Sequence, residues 1–316
     1  MKIAMLLATV AVVLVAGCTQ SITNITQTNT QLAGTGLVIT DFSIDQPEVY
    51  GGQTDRIMMT VSNKGGHSVP EGDALVFLTG SAVNLKGDDT MYWTSDSETL
   101  IKGFGKEMKP ADAVRDTPAD EKTVYWSLTA PSVSRGEQTP YLFIGRVYAD
   151  YQTKVTGNIW VYSESEADAA KTSGTTLNKA TWSATSGPVA INARLTQDPV
   201  VLYPGEDMVT LIIKISNVGS GVLYKSGFID YSTDNPDELA LTSDEINWVT
   251  VGGNMAGTPL PEECAGTFEM VGGKDLTLTC DISVTPPATF QGYPISITAD
   301  YGYFTERTAS VTVSGR

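Results

Sequence analysis

Val209-Thr210-Leu211-Ile212-Ile213-Lys214-Ile215-Ser216-Asn217-Val218-Gly219 is the stretch on which the fold turns. Val209, Leu211, Ile213 and Ile215 fall on one side of a period-two pattern, and Thr210, Ile212, Lys214 and Ser216 fall on the other. That spacing predicts a β-strand with one buried face, and Asn217-Val218-Gly219 ends it. Upstream lie a Pro204-Gly205 turn, an Asp198-Pro199 turn and an entry strand, Val189-Ala190-Ile191. The same plan occurs earlier in the chain. Leu37-Val38-Ile39 enters, Gln46-Pro47 and Gly51-Gly52 turn, and Ile57, Met59 and Val61 alternate with Met58, Thr60 and Ser62. Ser62-Asn63-Lys64-Gly65 then stands where Ser216-Asn217-Val218-Gly219 stands later. The ends repeat too: Ala149-Asp150-Tyr151 matches Ala299-Asp300-Tyr301, each expected to lead through a short turn into a last strand, 159–162 and 309–313. Two units of about 125 residues, made of short strands with turn signals between them, predict an all-β chain of two tandem immunoglobulin-like β-sandwiches. They span 36–163 and 187–316, with a linker at 164–186 in which 164–171 has helical character and Trp182 docks on one domain.

The amino terminus carries an address. Lys2 precedes an apolar run from Ile3 to Ala16, and Val15-Ala16-Gly17-Cys18 closes it. The run is shorter than the roughly 20 residues needed to span a bilayer, and its charged start and small-residue end make a secretory signal over 1–17. The segment resembles a lipobox, which implies lipid on the Cys18 thiol and an extracytoplasmic body anchored to a membrane. Two acyl chains would hold it firmly where one would not. Residues 18–35 are uncharged and rich in Thr, Gln, Asn and Ser, a tether, and Asn24-Ile25-Thr26 is a glycosylation sequon on it.

Composition narrows the function. Thirty-six acids against twenty bases give a net charge of −16, and loss of Lys2 with the signal makes the mature chain more acidic by one. Such a surface repels nucleic acid and bare anionic headgroups. With Cys18 taken by lipid, Cys264 and Cys280 remain, and an oxidising compartment favours a disulfide between them. The loop of about 15 residues would contribute roughly 3 kcal/mol on the chain-entropy picture. A tetrahedral metal site is the rival for these thiols, and one histidine in the chain cannot readily complete it.

The paired Pro and Gly turns, the strand ending in Ser-Asn-x-Gly and the Tyr-bearing late strand resemble CARDB-like and archaeal S-layer-associated immunoglobulin-type domains, over most of 36–163 and 187–314. The resemblance implies adhesion, cell-wall or filament-scaffold roles and brings no catalytic residue with it. The first half has no cysteine, so the intersheet bridge of antibody domains is missing there.

A long acidic excursion interrupts each half, roughly 84–121 and 230–273. Loops that diverge on a common scaffold are where specificity is usually placed. Trp93 and Trp248 are the candidate ligand contacts, as stacking platforms for sugar rings or, alternatively, as core plugs. Asp234, Asp237 and Glu238, or Asp88-Asp89 with Asp73, are weak Ca²⁺ candidates by ligand type, without EF-hand spacing. No other cofactor is implied. His67, the only histidine, has no Gly-x-Ser-x-Gly elbow to serve, so no enzyme is expected. Asp150 and Asp300 read as structural, with Asp and Tyr on opposite faces of their strands. The expected function is a lipid-anchored adhesion or envelope-scaffold module at the cell surface. Its expected partners are the membrane, an envelope protein or glycan, or further copies of itself. A carbohydrate-binding lipoprotein and a filament or lattice subunit are the alternatives.

Overall fold

A computed structural model of the chain describes residues 35–80, 83, 91–95, 99–112 and 114–316. The lipobox and Cys18, the sequon at Asn24, and Asp88-Asp89 and Asp96 lie outside the described residues. The first half supplies β1 (Leu37–Ile44), β2 (Glu48–Tyr50), β3 (Thr54–Asn63), β4 (Ala74–Thr79), β5 (Ile101–Gly103), β6 (Glu121–Thr129) and β7 (Gln138–Ser163). After helix α1 (Glu164–Ser173) come β8 (Thr181–Ala184), β9 (Val189–Leu195), β10 (Val200–Leu202), β11 (Met208–Asn217) and β12 (Val222–Tyr224). A 3₁₀ turn at Pro236–Leu239 precedes β13 (Trp248–Met255), β14 (Thr258–Pro259), β15 (Gly266–Glu269), β16 (Asp275–Ser283) and β17 (Phe290–Ser314).

The alternating stretches become the inner strands of two small sheets. β3 lies between β1 and β6, and β11 lies between β9 and β16, each pairing antiparallel. Ile57, Met59 and Val61 on β3, and Leu211, Ile213 and Ile215 on β11, are all 0 % exposed. Both three-stranded sheets face one large sheet of eleven strands, and the layers between them form a continuous apolar core. The fold is all-β and sandwich-layered.

The expected turns after the Ala-Asp-Tyr repeats are absent. β7 and β17 run straight through both halves, 26 and 25 residues long, and pair antiparallel from Gln138↔Ser314 to Tyr162↔Phe290. Near the middle of this ladder Tyr151 lies opposite Tyr301, so the two copies of Ala-Asp-Tyr meet through their tyrosines at the waist of the molecule. The start of β7 pairs with β4 of the first half, while its end pairs with β8 and β10. Likewise β17 begins beside β13 and ends beside β2. Each half therefore donates the end of its last strand to the other, and the halves are joined by far more than the segment 164–186.

Two stretches of these strands look like interruptions in sequence and are explained by their neighbours in the fold. Gly157-Asn158 resembles a turn, but Gly157 is there for close approach: a Cβ would sit 2.4 Å from the Thr181 carbonyl oxygen and 2.7 Å from the Trp182 ring. Trp182 accordingly packs against the shared core from β8. Glu306-Arg307 looks like a polar break, yet Glu306 lies opposite Arg146 in the ladder and accepts from its Nε at 2.9 Å. Arg307 donates to the Ile39 and Thr40 carbonyls on β1.

The Ser-Asn-x-Gly repeat also has a packing reason. Asn63 Oδ1 accepts from the Gly65 N–H at 3.1 Å, and Asn217 Oδ1 accepts from the Gly219 N–H at 3.2 Å. Each loop then closes on a waist tyrosine, and a Cβ on Gly65 would meet the Tyr151 hydroxyl at 1.7 Å, one on Gly219 the Tyr303 hydroxyl at 2.2 Å. α1 begins where 164–171 predicted helical turns. Ser163 caps it by accepting from the Glu166 N–H, acids fill its first turn, and Gly174 ends it at φ 73°. Cys264 and Cys280 form a disulfide with both residues buried, fixing the loop at 261–265 to the core face of β16.

Candidate functional site

The second half's excursion is a folded third layer. Between β12 and β13 the chain runs from Lys225 to Asn247 and organises itself with short-range bonds. Asp230 accepts from the Ser232 N–H and hydroxyl. Asn235 caps the 3₁₀ turn by accepting from the Asp237 N–H. Glu245 Oε2 accepts from the Thr242 N–H at 2.7 Å, while the Glu245 N–H donates to the Thr242 carbonyl. Ile229 and Leu239 come down on the outer face of the large sheet, over Leu75, Phe77, Ile101, Tyr148 and Tyr224, as a second, smaller core. All but Tyr224 of those five belong to the first half, so the excursion of one half covers the other.

Asp150 is the polar anchor of that layer. It points away from the core side of β7, as alternation with Tyr151 requires, but the excursion covers it. Its carboxylate accepts from the Tyr231 hydroxyl at 2.9 Å, the Gly227 N–H at 2.9 Å and the Ser226 hydroxyl at 3.1 Å. Tyr231 and Tyr224 share a 2.7 Å hydroxyl–hydroxyl bond, and Tyr148 donates to the Leu239 carbonyl. Burial raises the Asp150 carboxyl above the ordinary carboxylate range, although the three donors pull it back. Asp300, its counterpart, instead accepts from Gln152 at 2.7 Å.

Beside this anchor, Lys225, Phe228, Asp244, Glu245, Trp248 and Thr267 line an open cleft of about 370 Å³. The Trp248 Nε1–H donates to the Asp244 carbonyl at 2.8 Å, which fixes the indole at the start of β13. Phe228 is 44 % exposed. Aromatic walls with a few polar groups at the rim are the common make-up of a small-molecule site.

Of the sequence candidates, Trp248 lines this cleft and Trp93 does not. Trp93 is 0 % exposed, edge-on to Phe143 at 5.5 Å within the core, where its ring buries apolar area instead of offering a platform. Asp234, Asp237 and Glu238 are exposed around the 3₁₀ turn. Among the described residues no three His, Cys, Asp or Glu side chains come together to hold a metal ion. Asp73 is engaged through its backbone, its carbonyl accepting from the Asp150 N–H. Phe228 and Lys225 carry no sequence expectation, and Asp150, expected to be structural, anchors the layer beside the cleft. The signal for Phe228 was a lone aromatic in the otherwise polar turn 225–228, just ahead of the expected start of the excursion at 230.

His67 sits half-buried against Tyr151, ring centroids 5.3 Å apart, and its backbone N–H donates to the Tyr151 hydroxyl. Burial lowers its pKa, partly opposed by Asp300 and Asp73. With a folded value below the unfolded one, the histidine contributes stability above the ordinary range of its titration, and that contribution is lost as pH falls through the folded value. Chemical denaturation between pH 7.5 and 5 should therefore show a steeper loss of stability for the native chain than for His67→Gln. Parallel pH profiles would contradict this.

No family model and no curated protein matches the chain. Solved structures similar to it at low level include two proteins of different kinds. Red sea bream transglutaminase shares 11 % identity at a TM-score of 0.20, over 89 % of this chain and 32 % of its own. This chain thus spans about a third of that protein's length. The Enterococcus faecalis MSCRAMM ACE, titled as binding its ligands by the collagen hug model, shares 10 % identity at a TM-score of 0.15, over 90 % and 97 %. Among the described residues no helix is long and apolar enough to cross a membrane.

Proposed function

We propose that this protein is a non-catalytic recognition module, held at the outer face of a membrane by lipid on Cys18, that contacts an envelope protein or glycan. The observation that carries the reading is the excursion itself. A loop is clamped over the opposite half by Asp150 and an apolar cluster, yet leaves Phe228 and Trp248 as walls of an open cleft. Rigid support beneath a cleft lowers the ordering cost of binding. The Cys264–Cys280 disulfide suits an oxidising compartment, and the lipobox-like Val15-Ala16-Gly17-Cys18 suits the anchor. The likeness to CARDB-type modules points the same way, toward surface adhesion or scaffolding. A filament built by strand addition is less favoured. Arg307 occupies carbonyls on β1, and Lys102 donates to the Tyr125 carbonyl on β6 at 2.7 Å, so cations blunt both edge strands of the first small sheet.

The test is cross-linking on intact cells, followed by mass spectrometry of the partners and of the Cys18 peptide. Acylated Cys18 is expected, together with cross-links to envelope material that are lost in a Phe228→Ala/Trp248→Ala double variant. An unmodified protein in the medium, or cross-links indifferent to those two residues, would remove the reading.

A further inference from the structure

We infer that the Phe228–Trp248 cleft binds a neutral saccharide of one or two pyranose rings; this rests on the recognition reading above and names its ligand class. Four observations lead there. First, the indole N–H of Trp248 is already used by the Asp244 carbonyl, so the ring meets a ligand through its face and carbon edges. Those are the parts of an aromatic that pack on the C–H face of a sugar. Second, no ring contact joins Phe228 to Trp248 among the described residues, although both line the cleft. The space between them is open for a flat ligand.

Third, the rim keeps unused hydrogen-bonding capacity of both kinds. Among the described residues the Asp244 carboxylate meets only the Ser243 hydroxyl, at a long 3.4 Å. Glu245 uses Oε2 on the Thr242 N–H and has Oε1 to spare. Lys225 Nζ has no acceptor among the described residues, and the Thr267 hydroxyl is shared only with Thr250. Carboxylates that accept and an ammonium that donates match a ring edge of hydroxyl groups, each both donor and acceptor. Fourth, charge and size narrow the class. Two carboxylates at the rim and a net charge of −16 oppose uronic, sialic or phosphorylated ligands. A quaternary ammonium on the indole is drawn by the two carboxylates and repelled by Lys225, but with no N–H or O–H it leaves the rim's acceptors and donor without hydrogen bonds. About 370 Å³ lies near the small end of ligand pockets, which suits one or two rings and not a long chain.

The test uses the full extracytoplasmic chain and saturation-transfer NMR with cellobiose, maltose, lactose and N,N′-diacetylchitobiose, with tetramethylammonium chloride as a separate arm. At least one disaccharide is expected to receive saturation on its ring C–H protons and to shift the Trp248 indole N–H resonance of the unmodified protein. Affinity should fall at least tenfold in Trp248→Ala and stay unchanged in Phe290→Ala, an aromatic that is 51 % exposed away from the cleft. The indole shift needs no variant, so a poorly folding substitution would not decide the matter. Silence from all four sugars, a shift with tetramethylammonium alone, or equal sugar binding by Trp248→Ala would overturn the inference. If the sugars fail while cross-linking on cells still depends on Phe228 and Trp248, the ligand class falls and the recognition reading stands. If the cellular cross-links ignore both residues, the reading itself falls.

Discussion

Trp126→Ala is expected to destabilise the whole described body by about 3–5 kcal/mol, with both halves melting together in one transition. Trp126 is 0 % exposed on β6, opposite Ile57 of β3, and its Nε1–H donates to the Thr99 carbonyl at 3.0 Å. Truncation leaves a cavity in the first half alone. In two independent sandwiches the damaged half would melt early and the other would keep its own midpoint. Here the second half's portion of β7 is continuous with the first half's, and β17 is shared in the opposite sense. Loss of the first half strips a long strand's support from the second, and the cost of the cavity is felt by both. Calorimetry should show a single endotherm displaced downward. Hydrogen exchange should show β3 and β11 amides losing protection in parallel. Protected β11 amides above the temperature at which β3 exchanges freely would refute the coupling.

The sandwich layers were legible from residues whose pattern admits one reading. Leu211, Ile213 and Ile215 bury with period two, and the equivalent positions of β3 do the same. The joining of the halves was written in the same code but obscured. The inward set of β7 runs Phe143, Val147, Ala149, Tyr151, Thr153, Val155, Ile159 and Val161 without a slip of register. Thr153 hides in it as a polar residue because its hydroxyl bonds that of Tyr301 at 2.8 Å. A threonine and a glycine in the middle of a strand look like a turn until the partner strand supplies the tyrosine and the tryptophan that explain them.

The site was less legible for a different reason. Trp93 and Trp248 occupy comparable excursions, and nothing local separates the one that enters the core from the one that lines a cleft. The difference lies in what each meets once folded: Trp93 packs on Phe143, fifty residues away in the core, whereas the Trp248 indole is held at the surface by the carbonyl of Asp244, four residues before it. Asp150 shows the same limit. Alternation places it correctly on the outer face of β7, but sequence spacing cannot say that a loop 76 to 81 residues later will cover it.

Replacing that carboxylate with alanine should release the excursion. Asp150→Ala leaves the Tyr231 and Ser226 hydroxyls and the Gly227 N–H without their acceptor. A buried donor left unpaired costs about 1–3 kcal/mol. These sites are only partly covered, so water will take up some of the loss, and roughly 3–5 kcal/mol of local destabilisation is expected. Burial raises the Asp150 pKa, so the folded state holds this proton more firmly than the unfolded chain does. Its contribution is therefore greatest below the ordinary carboxylate range and is lost as pH rises through the folded value. The three donors recover only part of the cost of burying its charge. Asp150→Asn removes that charge and keeps one carbonyl oxygen for Tyr231, while its amide can donate to the Ser226 hydroxyl and leaves mainly the Gly227 N–H unanswered. It should cost only about 1–2 kcal/mol, and both variants should lose this part of the pH dependence. Hydrogen exchange over 225–247, with β11 as internal reference, measures the effect directly. Faster exchange confined to the excursion is expected, largest for alanine. It should bring a weaker cleft, because Lys225 and Phe228 stand on the freed segment while Trp248 stays on β13. If exchange over 225–247 in Asp150→Ala matches the native protein, the clamp is held by Ile229, Leu239 and Tyr148 alone, and the carboxylate has no part in presenting the cleft.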